Sequence, residues 1–180
     1  MAVTEHTRHF QDELEQLKAR LLEMGGIAEE QVRLSIKGLV DRDHEVIDRV
    51  LVGDLAINIA EASRQYVAHP PVKRLIDIPR MATIAQTMLR DALDAFVRRD
   101  VVLAQAVLNE DDTLDALKTQ IFRELLTYML QDPATIEPAL DLILISRHLE
   151  RIGDHATNVA EDVIFMVLAK DVRHHAGEEG

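Results

Sequence analysis

The chain has 180 residues, no cysteine and a formal net charge of −12 from 32 acidic and 20 basic side chains. That balance argues against a broad basic face for nucleic-acid phosphate or an anionic membrane, and the missing thiols exclude disulfides and thiolate metal ligands. Hydrophobic residues make up 47% of the chain and aromatics 3%, with only 7 Gly and 5 Pro, the composition of an all-α protein able to fill one or two cores. No apolar run approaches the ~18 residues needed to span a bilayer and the N-terminus lacks a signal-peptide core, so a cytoplasmic location without membrane insertion is expected.

The first helix is predicted from Thr4 to Val40. Phe10, Leu14, Leu17, Leu21 and Met24 recur at spacings of three and four, Gly25-Gly26 is a weak point, and the period resumes from Ala28. Asp41-Arg42-Asp43 marks a turn, and a second helix is expected from His44 to Val67, ended by His69-Pro70-Pro71. Residues 70–79 read as a linker between two halves. A third helix from Arg80 carries Met81, Ile84, Met88, Leu93 and Phe96, and the Arg98-Arg99-Asp100 corner leads to a fourth from Val101 to Leu130. Gln131-Asp132-Pro133 supplies a stop, an N-cap Asp and a Pro at the first helical position of a fifth helix running to Ala169, before a polar tail. The methionines fall at core spacing.

The fifth helix holds the densest chemistry. At about 100° per residue, Glu150, Asp154, Asn158 and Glu161 fall within one narrow stripe. Ile136, Leu140 and Ile143 precede the cluster on that stripe, and Phe165 and Leu168 come after it, so the pattern reads as an acidic island in a packing seam that needs a counter-charge. On the fourth helix Asp111 and Asp115 share a stripe with Phe122, Leu126 and Met129. A short turn at Asp132 forces an antiparallel hairpin. Asp115 lies 17 residues before that turn and Glu150 18 after it; Asp111 lies 21 before and Asp154 22 after. Four carboxylates thus meet at matched heights. They either share protons, hold a cation, or pair on the surface with Lys118, Arg147 and Arg151.

The chain also repeats itself. At an offset of 57, Arg33, Val40, Arg42, Asp43, Val50, Leu51 and Asp54 coincide with Arg90, Val97, Arg99, Asp100, Val107, Leu108 and Asp111. At Gly53-Asp54 the offset becomes 100, and Gly53, Asp54, Ala56, Asn58, Ala60 and Glu61 match Gly153, Asp154, Ala156, Asn158, Ala160 and Glu161. The first copy therefore lacks about 43 residues, the far part of a helical hairpin, and three helices have become two.

The run Leu149-Glu150-Arg151-Ile152-Gly153-Asp154-His155-Ala156-Thr157-Asn158-Val159-Ala160-Glu161 resembles the signature of the PhoU family of phosphate-transport accessory proteins. His6-Thr7-Arg8-His9-Phe10, Ile78-Pro79-Arg80-Met81 and Arg123-Glu124-Leu125-Leu126-Thr127-Tyr128-Met129 are similar to other parts of that family. The resemblance implies tandem three-helix bundles. Here these would be a shortened first repeat of two helices over residues 1–69, a linker over 70–79, an intact three-helix repeat over 80–170 and a flexible tail over 171–180. It also implies a bacterial, cytoplasmic and often homodimeric negative regulator that contacts a phosphate ABC transporter ATPase and a phosphate-sensing histidine kinase. Family E/DxxxD motifs hold iron, zinc or magnesium, and the motif matches Asp111–Asp115 and Glu150–Asp154. Asn158 and Glu161, and Asp54 and Glu61 in the first copy, are the remaining candidate ligands. Val50 stands where the first copy needs an acid, so a complete first site is not expected within one chain. An all-oxygen set suits magnesium, manganese, calcium or ferric iron better than zinc.

Other roles set beside this one are a metal-binding or metal-storage bundle without signalling, and an inactive remodelled member of the family. Enzymatic turnover is not expected: there is no Glu-x-x-His pair, HExxH, phosphate-binding glycine loop or nucleophile elbow. His148 and His155 lie off the acidic stripe and read as surface or packing residues, His174-His175 as a polar end, and Gly53 and Gly153 as points of close helix approach. Asn58 and Asn158 read equally as secondary ligands or as hydrogen-bonding residues.

Overall fold

The computed structural model describes residues 2–47 and 54–175, with side chains described for 15–47 and 55–168. Among these residues there is no strand. Six helices are α1 (Ala2–Asp41), α2 (His44–Ile47), α3 (Asp54–Val67), α4 (Asp77–Arg98), α5 (Val101–Gln131) and α6 (Ile136–His175), with a 3₁₀ turn at Pro133–Thr135. The all-α expectation holds, and Gly25-Gly26 does not break α1. Gly25 is buried, and a Cβ there would lie 2.2 Å from Leu93 Cδ1, so the glycine lets α4 approach closely while the helical hydrogen bonds continue.

Several boundaries differ from the sequence reading. The second helix is seen as α2 and α3, and the join at 48–53, with Val50 and Gly53, lies outside the described residues. α4 begins at Asp77, inside the expected linker, because Pro79 sits in the first turn, where its missing N–H costs no intrahelical bond. The last helix opens with the 3₁₀ turn and continues past Ala169 to His175; residues 176–180 of the expected tail lie outside the described part.

The internal repeat appears as repeated geometry. Arg42 and Arg99 both adopt positive φ, 55° and 56°, the left-handed conformation that closes a helix. Asp43 N–H then donates to Gly38 O at 2.9 Å, and Asp100 N–H to Ala95 O at 3.0 Å. Each Asp caps the next helix: Asp43 Oδ1 accepts from the N–H groups of Glu45 and Val46, and Asp100 Oδ1 from those of Val102 and Leu103. The motif Arg-Asp thus encodes a left-handed stop and a new start in two residues.

Helix directions are fixed by the cross-contacts. Ser35 Oγ donates to Ala56 O at 3.2 Å and Arg42 Nη2 to Val67 O at 2.5 Å, so α3 runs parallel to α1. Gln86 Nε2 donates to Glu29 O at 2.9 Å while Leu93 lies against Gly25, so α4 is antiparallel to α1. α5 and α6 form the expected antiparallel hairpin about Asp132, whose Oδ1 accepts from Ala134 N–H at 2.9 Å. The three helices α4–α6 pack on one another, and α1 and α3 add to them through α4 and α6. One core results: Leu39, Ile59 and Tyr66 from the first half belong to the same buried cluster as Met81, Leu114 and Leu149. Met81 and Met88 are buried there, but Met24 and Met166 are exposed, against the sequence expectation.

The loop after α3 is held by charge. The Arg42 guanidinium donates to the carbonyls of Val67 and His69 and lies 5.6 Å from the Tyr66 ring centroid. Lys73 pairs with Asp77 and with Glu124 of α5. Replacing Arg42 by Ala leaves two carbonyls and a ring face without their partner. The expected cost is about 1–3 kcal/mol, read as a shift of the urea midpoint at constant m.

Candidate functional site

The α5–α6 hairpin is set by a close approach. Gly153 is buried, and a Cβ on it would meet Leu114 Cδ2 at 2.3 Å, Met88 Cε at 3.5 Å and Asp111 Oδ1 at 3.6 Å. Leu114 is fully buried, with little room to move aside. The glycine therefore lets α6 nest against α5, and the acidic positions flanking Leu114 and Gly153 arrive together.

They do arrive together. Lys118 Nζ lies 2.8 Å from Asp115 Oδ1 and 2.5 Å from Glu150 Oε1, so one ammonium bridges the two helices between carboxylates of opposite origin. Glu150 is the more covered of the two, its side chain 19% exposed against 56% for Asp115. Asp111 and Asp154 lie in the same field. Partial burial raises the Asp111 pKa, and the negative charges of Asp115, Asp154, Asp112 and Glu150 raise it further. Burial also raises that of Asp154, with Glu150 and Asp115 adding, while Lys118 and His155 act against the shift. Burial disfavours the Lys118 charge, yet its hydrogen bonds to Asp115 and Glu150 prevail and its pKa is raised. Asp111, Asp115, Glu150 and Asp154 thus share one electrostatic site, with Lys118 as its built-in counter-ion. Among the described residues no three His, Asp or Glu side chains are arranged to grip a metal ion. The donor set is nonetheless all carboxylate oxygen, the chemistry hard cations take.

The other candidates fall outside this group. Asn158 and Glu161 continue the α6 stripe but are exposed. Glu61 is exposed on α3, which among the described residues packs on α1 and α6 and not on α5; the Asp54 side chain is outside the described set. His155 is exposed. His148 is half-buried with Nδ1 unpartnered, and burial, with Arg151 and Arg147 nearby, lowers its pKa. The side chains of His174 and His175 are outside the described set.

The seam flanking the island is not a seam within this chain. Ile136, Leu140, Phe165 and Leu168 are exposed on α6, as are Phe122 and Leu126 on α5. The core is reached instead by the neighbouring stripe Ala139, Leu142, Ile145, Leu149, Ile152 and Ala156. Two apolar stripes run along α6, and contact with α3, α4 and α5 decides which is covered. Between α5 and α6, Phe122, Ile143, Ser146 and Arg147 line a groove of about 340 Å³ that ends on Lys118 and Glu150.

One polar group escaped the sequence reading. Asp141 is 4% exposed, and its Oδ2 has no hydrogen-bond partner. Burial raises its pKa, His69 opposes the shift and Glu137 adds to it. Its position on the buried stripe, between Ala139 and Leu142, was the available signal.

Comparison with known proteins gives a consistent picture. The PhoU domain profile matches residues 78–163. The chain is 32% identical to the "Phosphate-specific transport system accessory protein PhoU homolog" of Pseudomonas aeruginosa, over 96% of this chain and 91% of the relative. That alignment runs over 221 positions, more than the 180 residues here, so the relative carries residues this chain lacks. A like-named protein of Rhizobium meliloti is 32% identical over 87% of the chain and 86% of its own length. The crystal structure of PhoU from Pseudomonas aeruginosa superposes with a TM-score of 0.81 at 30% identity, covering 89% of this chain and 99% of that one. For the phosphate transport system regulatory protein PhoU of Streptococcus pneumoniae the TM-score is 0.68 at 20% identity, over 87% and 95%, a likeness of fold.

Gly153→Ala is expected to destabilise the chain by about 1–3 kcal/mol through overpacking against Leu114, whereas Gly26→Ala, with nothing within 4 Å of the added Cβ, should stabilise by about 0.5–1 kcal/mol; paired urea titrations measure both. Asp111 and Asp154 hold protons more tightly folded than unfolded. Their contribution is therefore fully present below the ordinary carboxyl pKa of about 4 and is lost as pH rises through the raised folded values. Asp111→Asn with Asp154→Asn should flatten that part of a pH series of unfolding free energies and raise stability at neutral pH, by about 0.2–0.5 kcal/mol for each like-charge pair relieved.

Proposed function

The chain belongs to the PhoU family, and from that premise we propose that it restrains phosphate uptake and phosphate-responsive signalling as a cytoplasmic, homodimeric adaptor, without turning over a substrate. Its partners in this reading are the ATPase of a phosphate ABC transporter and a phosphate-sensing histidine kinase, through which it acts on transcription. The observation that carries the adaptor reading is the outer face of the α5–α6 hairpin. Phe122 is 50% exposed, Leu126 42% and Leu140 49%, beside a groove ending in charged side chains. Exposed apolar groups next to a charged rim are what a protein partner covers. No described helix is long and apolar enough to cross a membrane, in keeping with an accessory subunit that meets the transporter from outside the bilayer.

We assign the acidic group a supporting part in this role. Asp111, Asp115, Glu150 and Asp154 are the residues that would hold a magnesium, manganese or iron cation, which would supply positive charge to a group that now draws it from Lys118. Asn158 and Glu161 lie along the same helix as candidate outer ligands, whereas Asp54 and Glu61 are not expected to complete a site within one chain, because Val50 stands where an acid is needed. Occupancy of the α5–α6 site requires the Lys118 ammonium to swing away, so cation and lysine compete.

The adaptor reading is tested by capture from a bacterial lysate with the full chain as bait. Transporter ATPase or histidine kinase should be recovered, and Phe122→Asp with Leu126→Asp should lose them; recovery of neither by a folded bait, or unchanged recovery by the variant, counts against it. The cation reading has its own assay. Magnesium or manganese should raise the melting temperature, Lys118→Met should enlarge that rise by removing the competing ammonium, and Glu150→Gln with Asp154→Asn should abolish it. Equal melting curves with and without either cation, for both native chain and Lys118→Met, would remove the metal from the mechanism. That result would leave the groove and its partners untouched.

A further inference from the structure

The loop after α3 is tied to the rest of the chain at three places. The Arg42 guanidinium holds the carbonyls of Val67 and His69, and Lys73 joins Asp77 of α4 to Glu124 of α5. The third tie is the His69 side chain, whose Nε2 lies 3.8 Å from Glu137 Oε2 at the start of α6. Arg42 anchors the backbone from which that imidazole reaches α6.

Asp141 stands one helical turn beyond Glu137, on the same side of α6. It is buried and its Oδ2 has no hydrogen-bond partner. A carboxyl in that position either keeps its proton or needs a cation beside it. The charged and titratable groups of the surrounding elements are spent elsewhere. α1 brings Arg42, which donates to two carbonyls and lies against Tyr66 of α3. Asp77 of α4 and Glu124 of α5 share Lys73, and Asp132, in the turn before α6, caps Ala134. The charges that act on Asp141 are those of His69, which favours its ionisation, and Glu137, which opposes it. His69 is thus the cation this buried acid has among the described residues. Its side chain is 31% exposed, so solvent protons reach the imidazole while Asp141 is sealed beneath it. Imidazole is also the side chain whose charge changes near neutral pH.

We propose that His69, Glu137 and Asp141 form a proton-operated clasp between the loop after α3 and the start of α6, closed when the imidazole is charged and released when it is neutral. With the charge present, the Asp141 carboxylate is answered from the loop; without it, the carboxylate stands buried and alone. Burial makes the folded chain hold the Asp141 proton more tightly than the unfolded chain does, so its contribution to stability is lost as pH rises. The imidazole loses its charge in the same direction, and the clasp therefore weakens from the acid to the alkaline side of neutrality. The clasp stands apart from the adaptor reading, although Ile136 and Leu140, exposed beside its two acids, place it at one end of the outer face of the hairpin.

Urea titrations of the full chain at pH 6 and pH 8 test the clasp as a double-mutant cycle. At pH 6, His69→Gln and Asp141→Asn should be coupled by about tenfold in the unfolding equilibrium, and at pH 8 that coupling should vanish. His69→Lys keeps its charge across this range and should lose less stability between pH 6 and pH 8 than the native chain, a comparison that holds even if Asp141→Asn does not fold. No coupling at pH 6, or equal coupling at both values, overturns the clasp. So does a His69→Lys chain that loses as much stability as the native one.

Discussion

The contact between Gly153 and Leu114 governs the second half of this molecule. A side chain no larger than a methyl at position 153 would overlap a buried leucine, so its absence lets the backbone of α6 approach α5 closely. That approach places carboxylates from two helices in one field. Like charges so placed are unfavourable unless a proton, a cation or a basic side chain intervenes. Lys118, one turn along α5 from Asp115, takes that position and ties the helices together through Glu150. Packing creates the electrostatic problem, and the same helix supplies one answer to it.

The first half has a different constraint. There α1 and α3 run parallel to each other. They settle on α4 and α6, so the buried side chains of both halves form one cluster. The Arg42 corner makes this possible. Its left-handed residue ends α1 abruptly, and its guanidinium reaches across to the carbonyls at the end of α3. The equivalent corner at Arg99 shows the backbone device without that reach, so the Arg42 side chain has taken on a tie that belongs to the shortened half.

The acid group and the apolar groove adjoin on one side of the hairpin. Glu150 and Lys118 line the groove, and Asp115 pairs with Lys118 beside it. In the proposed reading, a proton or cation at the acid group would compete for the position of Lys118, at the end of the groove. In the adaptor reading this would let the ionic state of the hairpin bias how it meets a partner.

Periodicity and punctuation were enough to determine that the chain is helical, where it turns, and that Asp115 and Glu150 stand at one height. Helical spacing and a cap such as Asp100 or Asp132 act within a few residues, so a linear reading captures them. The repeat was legible for the same reason: the Arg-Asp corner is a local backbone device. Which of the two apolar stripes on α6 is covered was not legible, because Leu140 and Leu142 are equally hydrophobic and the placement of the helices packed on α6 separates them. The tertiary structure also decided that Lys118 bridges the acids and that Asp141 is buried. Each depends on the distance between helices far apart in the chain, a quantity set by packing rather than by any local pattern.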